Sequence, residues 1–329
     1  MTDDSPAPTS APQVAAVVVN PTKVPLDRLR EAVDAAEQEH GWGPSLWFET
    51  DADDAGAGAA RAAVAQHPDV ILVAGGDGTV RAVAEVVHES GIPLALLPAG
   101  TANLLARNLR LARVGIPGAV ETTFAGIDRP VDIAFATMRA ADDTVTRKAF
   151  LVMAGIGLDA RMAADTNADL KRRIGWGAYV DPIARSILGN AQFSLRYRIE
   201  RGRSRSLRAH TIIVGNVGTL TANLLLLPDA VVDDGLLDVV VFKPKGAFGW
   251  VQIASRFTTN GMFQASRAGR WVLRRTPDLR ALRYTQGRHF EARFDEPQLL
   301  QLDGDTVGDV VGVAMSLKHH GLTLRVPAV

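Results

Sequence analysis

The stretch Val70 to Val87 (VILVAGGDGTVRAVAEVV) limits what this chain can fold into more than any other. Five apolar residues run straight into Gly-Gly-Asp-Gly, and a helical pattern follows with no spacer. A short apolar run of this kind is a strand buried on both faces, and such a strand needs helices on both sides of its sheet. The unit recurs along the first half. Val14 to Asn20 (VAAVVVN) is another apolar run, followed by Pro25 to His40 with Leu26, Leu29, Val33 and Ala36 on one helical face. Leu46 to Glu49 reads as a strand and Ala57 to Gln66 as an Ala-rich helix. Leu94 to Leu97, closed by Pro98-Ala99-Gly100, precedes a helix expected over Thr101 to Leu111, and Val131 to Ala136 ends the series as a further strand. Strands alternating with helices through short loops build a parallel α/β sheet.

The second half follows a different rule. Ala149 to Ala154, Gln192 to Glu200, Leu207 to Asn216, Leu237 to Phe242, Ala281 to Gln286, His289 to Phe294, Gln298 to Leu302 and Val310 to Leu317 are strand-like, several alternate in polarity, and Gly- or Asp-containing turns separate many of them. This pattern predicts a β sandwich, interrupted by helices near Trp176–Leu188 and Ala247–Phe257. The 329 residues therefore divide into a disordered tail (1–12), a nucleotide-binding α/β domain (13–137), a β-sandwich substrate domain (138–318) and a C-terminal return segment (319–329). Charge divides the same way: 13 basic against 22 acidic residues up to Thr166, and 23 against 14 beyond it, net −9 and +9. The total is zero, so no general attraction to nucleic acid is expected. Cysteine is absent, which excludes disulfides, thiolate nucleophiles and cysteine metal sites and fits a reducing compartment. Thr2 to Pro12 lacks the basic start and apolar core of a secretory leader, and no run reaches the ~18–20 apolar residues of a membrane helix.

The glycine turn carries the first chemical signal. A glycine-rich turn that opens a helix aims backbone N–H groups at an anion, and the helix N-terminus adds partial positive charge. This loop is neither a Walker A sequence nor a GxGxxG fingerprint, because it lacks Lys and carries Asp77 at its centre. A carboxylate beside a polyphosphate needs a cation, a proton or a hydrogen-bond donor, so Asp77 points to Mg²⁺ or to acid–base work. The plainer reading is a strand–helix turn with Asp77 capping the helix. LPAGTAN, Leu97 to Asn103, repeats the logic one unit later, with Thr101 either capping its helix or binding phosphate. PDAVVDDGLLDV, Pro228 to Val239, contains an Asp-Asp-Gly tight turn. His319 and His320 are adjacent, and on a regular strand they would point to opposite faces, which makes a chelate unexpected.

Asn20-Pro21 after the first strand, GGDGT at 75–79, LPAGTAN at 97–103, PDAVVDDGLLDV at 228–239 and LDGD at 302–305 occur in this order. With this series the chain resembles the diacylglycerol kinase catalytic family in its bacterial lipid-kinase branch, which is related to sphingosine kinases and, through GGDGT, to NAD kinases. The resemblance covers about Val14 to Pro327. It implies a Rossmann-like parallel α/β domain followed by a β sandwich, and ATP- and Mg²⁺-dependent phosphorylation of a lipid alcohol such as diacylglycerol. ATP is then expected over Gly75, Gly76, Asp77, Gly78, Thr79, Val80, Arg81 and Thr101, with Asn20 near the phosphates and Thr50 at the nucleotide's edge. The family's DGE carboxylate, proposed to take the proton of the lipid hydroxyl, corresponds to Asp305, and Asp77 is the second candidate base. The bacterial relatives further imply a structural Mg²⁺ held by the Asp234 carboxylate and the backbone carbonyls of Val231 and Leu236, and a homodimer.

Three departures from the family pattern stand out. Asp305 replaces Glu and is shorter by one C–C bond, about 1.5 Å. Arg81 stands where many relatives have Asn, and Leu104 where others often have Asp. The basic half bears on the substrate: Lys171 to Trp176 (KRRIGW) and Trp250 to Arg275, with five Arg and no acid, combine cations with aromatics. That composition suits an anionic membrane surface and a peripheral, cytoplasmic protein at the inner face of the cell membrane. Two other readings stay open on the sequence, a soluble NAD kinase-like small-molecule kinase and a nucleotide-binding regulator without turnover.

Overall fold

The computed structural model describes residues 11–51, 53–111, 114–157, 192–218, 226–244 and 282–328. The chain forms two compact units, Met1–Gly100 with Leu111–Arg129 and Thr323–Val329, and Thr101–Arg110 with Pro130–Leu322.

The first unit is built on strands β1 (Ala15–Val19), β2 (Leu46–Glu49), β3 (Val70–Gly75) and β4 (Leu94–Pro98). All are parallel, in the order β4-β3-β1-β2. Every residue of β1 and β3 is buried, as their unbroken apolar runs require. Helix α1 (Leu26–His40) and α5 (Gly115–Ala125) cover one face, where Leu29, Val33, Val120 and Phe124 pack on Val17, Val19, Leu72 and Leu97. Helices α2 (Ala57–Val64) and α3 (Asp77–Val87) pack together beside β2, β1, β3 and β4. Trp42, a core candidate, sits edge-on to Phe124 at 5.1 Å. The end of the chain closes the sheet: Leu324 pairs with Leu94 in parallel.

The second unit is antiparallel. It contains most of β5 (Ile127–Arg139), then β6 (Val145–Phe150), β7 (Met153–Ile156), β8 (Phe193–Ile199), β9 (Arg205–Ala209), β10 (Thr211–Gly215), β11 (Leu237–Phe242), β12 (Leu282–Gly287), β13 (His289–Leu302) and the greater part of β14 (Asp305–Val326). One path runs β12-β11-β10-β7-β13-β14, with β8 and β9 branching from β13 and β5 and β6 from β14. The branch has a local cause. The pairing of β13 with β14 shifts register between Arg293 and Gln298, around Pro297, and a bulge of this kind bends a strand. Beyond the shift Leu300–Leu302 pair with β7, whereas Phe290–Phe294 pair with β8. One strand thus serves both layers of a sandwich, over a core that includes Phe150, Ile156, Leu195, Ile212, Phe290 and Leu300.

The predicted strands Ala149–Ala154 and Leu207–Asn216 are each split in two, at Leu151–Val152 and at His210, while the pair predicted at His289–Phe294 and Gln298–Leu302 is continuous. The helix predicted over Thr101–Leu111 shortens to α4 (Leu104–Asn108). The helices predicted near 176–188 and 247–257, and the basic stretches 171–176 and 250–275, lie outside the described residues.

Candidate nucleotide, acceptor and metal sites

Three loops meet at the C-terminal ends of β1, β3 and β4, the edge at which open α/β sheets bind ligands. Asn20 ends β1. Its N–H donates to the Ala74 carbonyl (2.9 Å), and its Oδ1 accepts the Thr22 N–H (3.0 Å) and hydroxyl (2.7 Å). Its carbonyl accepts the N–H of Lys23 (3.1 Å) and Val24 (3.2 Å). Asn20 therefore shapes a tight turn, and the turn delivers Lys23. A Cβ at Gly76 would lie 3.0 Å from Lys23 Nζ and 3.4 Å from Gly100 Cα, so glycine is what allows all three loops to approach. The Ala99 N–H to Gly75 carbonyl bond (2.8 Å) ties the third loop to the second.

Gly76 is the N-cap of α3 and supplies no side-chain oxygen, so the plain reading of Asp77 as that cap does not hold; Asp77 is the first helical residue. The first-turn N–H groups of α3 thus receive no bond from the N-cap residue. Thr79 is buried (5%) and packs on Gly75, and its methyl and that of Thr50 meet at Gly56. Val80 and Arg81 are also buried, at 8% and 9%. Val80 can thus offer a ligand little but backbone, and the Arg81 side chain is largely enclosed. Thr101 is exposed and does not cap α4, whose N-cap is Asn103 at φ 47°. The first unit therefore gathers Asn20, Thr50 and Gly75 to Arg81, while Thr101, Asp305 and the 231–236 turn belong to the second.

Lys23 is the residue that sequence reasoning missed. The glycine loop has no lysine of its own, and the cation comes from another loop. The available signal was its rarity, since Lys23 is the sole lysine before Lys148. An ammonium at the start of a helix whose N-cap glycine has no side chain, together with a Cβ-free approach, suits a polyphosphate.

In the second unit, Asp303 and Gly304 (φ 51° and 93°) form the two-residue turn of the β13–β14 hairpin, with Leu302 paired to Asp305. Both positive φ angles match a type I′ turn, for which Asp-Gly is a preferred pair. The Asp303 carboxylate is nearly buried (5%) and accepts the N–H groups of Leu151 (2.9 Å), Val152 (2.8 Å) and Met153 (3.0 Å). Asp303 is thus a clamp, and it holds the exposed Asp305 at the start of β14. Asp303→Ala would leave three donors, two of them buried, without this acceptor; the expected loss is ~3 kcal/mol of stability, read from the urea midpoint at constant m.

The 228–239 segment forms the expected turn, with the Leu236 N–H on Asp234 Oδ1 at 3.0 Å. Burial pushes the Asp234 carboxyl upward against that hydrogen bond, and the Asp132 and Asp233 charges add to the rise. Asp132 is fully enclosed: Oδ2 accepts the Gly235 N–H (2.7 Å), and Oδ1 accepts the His320 N–H (2.8 Å) and lies 2.8 Å from His319 Nδ1. Here the sequence expectation for the histidines fails. His320 has φ 50°, which breaks the strand alternation, so the two rings stack at 3.7 Å instead of facing apart. The ligand atoms of Asp132, His319 and His320 lie within 4.8 Å of one another.

Asp238 shares this acidic neighbourhood. Burial pushes its carboxyl up to about 7; Gln286 opposes the shift by hydrogen bonding, and Asp234 and Asp229 reinforce it. The folded chain thus holds this proton more tightly than the unfolded chain. The group's contribution to stability is full below 3.8 and is lost as pH rises toward about 7. Asp238→Asn is expected to remove that slope and to raise stability by ~1–2 kcal/mol near pH 8 in the presence of a chelator, with little change near pH 4. Urea denaturation at both pH values reads the difference. Crowded carboxylates with raised affinity for protons are what a hard divalent cation relieves, so oxygen ligands from Asp234 and from turn carbonyls fit Mg²⁺.

A parallel α/β unit with a cationic glycine cradle, followed along the chain by an antiparallel sandwich unit, is the two-domain architecture that the family resemblance implies. The diacylglycerol kinase catalytic domain model matches residues 15–136, and the YegS C-terminal NAD kinase beta sandwich-like domain model matches residues 152–323. The chain belongs to this diacylglycerol kinase and YegS family. It is 24% identical to the diacylglycerol kinase of Bacillus subtilis over 313 residues, 93% of this chain and 94% of that one. It is 33% identical over 241 residues to a Stenotrophomonas maltophilia protein named "Probable lipid kinase YegS-like", covering 68% of this chain and 72% of the relative. A match at 27% identity to an uncharacterised Synechocystis protein spans 50% of that longer chain. In fold, a crystal structure of a diacylglycerol kinase from Bacillus anthracis superposes with a TM-score of 0.69 at 21% identity, over 96% of this chain and 98% of that chain. No helix among the described residues is long and apolar enough to cross a membrane.

Proposed function

We propose that this chain is an ATP- and Mg²⁺-dependent kinase that transfers the γ-phosphoryl group to the hydroxyl of diacylglycerol or a similar lipid alcohol. The observation that carries the reading is the approach of Lys23 Nζ to the Gly76–Gly100 contact at the start of α3. In this reading Lys23 and the first N–H groups of α3 hold the nucleotide phosphates, and Asn20 holds the turn that presents Lys23. Thr50 and Thr79 shape the wall beside Gly56. Asp305, placed by the hairpin turn and the Asp303 clamp, accepts the proton of the attacking lipid hydroxyl. Asp77, at the first position of α3, faces the phosphates as metal partner or alternative base. Mg²⁺ bound with the nucleotide supplies charge neutralisation of the transferred group. A second Mg²⁺, held by Asp234 and the carbonyls of Val231 and Leu236, steadies the turn that Asp132 braces.

The setting follows from the substrate: a peripheral protein at the inner face of the cell membrane, with no nucleic-acid partner. The test offers terminally labelled ATP and Mg²⁺ with a total membrane-lipid extract in one tube and with NAD in another. Label in the organic phase supports the lipid reading. Label only in an aqueous product moves the assignment to a small-molecule kinase, and bound ATP without transfer moves it to a regulator.

A further inference from the structure

The hairpin β8–β9 carries a charge density that neither the phosphate cradle nor Asp305 uses. From Ser194 to Arg208 the chain has six arginines, at 196, 198, 201, 203, 205 and 208, against one acid, Glu200. All six are exposed. Glu200 is already engaged, since its carboxylate accepts the backbone N–H groups of Arg288 and His289. Among the described residues only Arg198 of the six has an ion pair, 2.7 Å to Glu291.

Strand register places several of these cations on one outer face. Arg196 lies opposite Ser206 on one side and opposite Arg293 of β13 on the other, and Ser194 lies opposite Arg208. Like charges directly opposite each other destabilise a sheet. Charge on β9 alone could be edge protection, because among the described residues β9 pairs only with β8. That purpose does not account for Arg196 and Arg293, whose strands are paired on both sides. Arg196 and Arg208, with Ser194, Ser206 and Asp295, line an open cleft of about 360 Å³. Guanidinium groups beside hydroxyls match phosphate oxygens, which accept paired N–H donors.

We propose that the outer face and tip of the β8–β9 hairpin dock this protein on an anionic lipid bilayer, with headgroup phosphates bound between Arg196 and Arg208. The choice of a membrane over another polyanion rests on the lipid-kinase reading. The chain's zero net charge gives it no general pull toward polyanions, so the attraction is local to this face.

The test is co-sedimentation of the full chain with vesicles of phosphatidylcholine alone and of phosphatidylcholine mixed with phosphatidylglycerol. The wild type is expected to bind only the mixed vesicles, and added salt to release it. Substituting Arg196→Ser, Arg203→Ser and Arg208→Ser together is expected to weaken binding roughly 100-fold, about fivefold per arginine. The corresponding triple Arg→Lys variant keeps binding within a few fold, which separates lost charge from lost folding. Turnover on a lipid alcohol in neutral detergent micelles stays unchanged in the Ser variant. Undiminished binding of the Ser variant to mixed vesicles overturns the proposal, as does tighter binding of a short DNA duplex than of the vesicles. Arginine-dependent vesicle binding without transfer to any lipid would sustain the docking face and reject the kinase reading.

Discussion

Replacing Lys23 with methionine is expected to weaken ATP binding by about 10- to 100-fold, the worth of one hydrogen bond to a charged partner. The side chain is exposed and fills no core, so the thermal midpoint should hardly move. Titration calorimetry with Mg²⁺ separates this from the competing role, in which Lys23 merely decorates a surface turn and the variant binds ATP as the wild type does. Lys23→Arg should recover part of the affinity, because charge is kept while the approach past Gly76 is not. The closeness that makes Lys23 useful also limits it. At 3.0 Å from the Cβ position of Gly76, the ammonium leaves little room for a larger head.

Loss of the Asp305 carboxylate is expected to act on a different quantity. Asp305→Ala should lower kcat by about 10²- to 10⁴-fold, the usual range for a general base, with ATP affinity retained. Asp305→Glu lengthens the side chain by about 1.5 Å and restores the family's residue, and it is expected to match or exceed wild-type turnover. If Asp305→Ala turns over normally while Asp77→Asn is inactive and still binds ATP, the base is Asp77. Asp305 follows a rigid two-residue turn whose first member is clamped by three backbone donors. Its reach is therefore set by backbone that cannot easily drift, and a misplacement of ~1 Å can cost roughly 100-fold in rate.

The α/β half was legible because its strands are buried on both faces, so β1 and β3 read as unbroken apolar runs and their glycine turns stand out. Helix α5 escaped because Gly115, Pro117 and Gly118 hide its periodicity, although Ala119, Val120 and Phe124 are core. Pro297 signals a strand end, whereas β13 absorbs it as a register shift and changes partners there. The site was legible as a list and not as a geometry. GGDGT and LPAGTAN read as phosphate loops, yet Lys23, the cation proposed to serve them, lies some fifty residues before GGDGT, and the β1–β3 pairing brings its loop beside Gly76. The stacked histidines show the same limit. Period-two alternation fails wherever one residue takes a left-handed conformation, as His320 does, and nothing in the dipeptide announces it.

In the proposed reaction the terminal phosphoryl of ATP becomes a phosphate ester on a lipid. Incubation of the chain with ATP, Mg²⁺ and a defined diacylglycerol in neutral detergent micelles, followed by phosphorus NMR, tests this directly. The expected result is a lipid phosphomonoester appearing in step with ADP, with little free orthophosphate. ADP accompanied only by orthophosphate, or unconsumed ATP in a sample shown to bind it, would contradict the account.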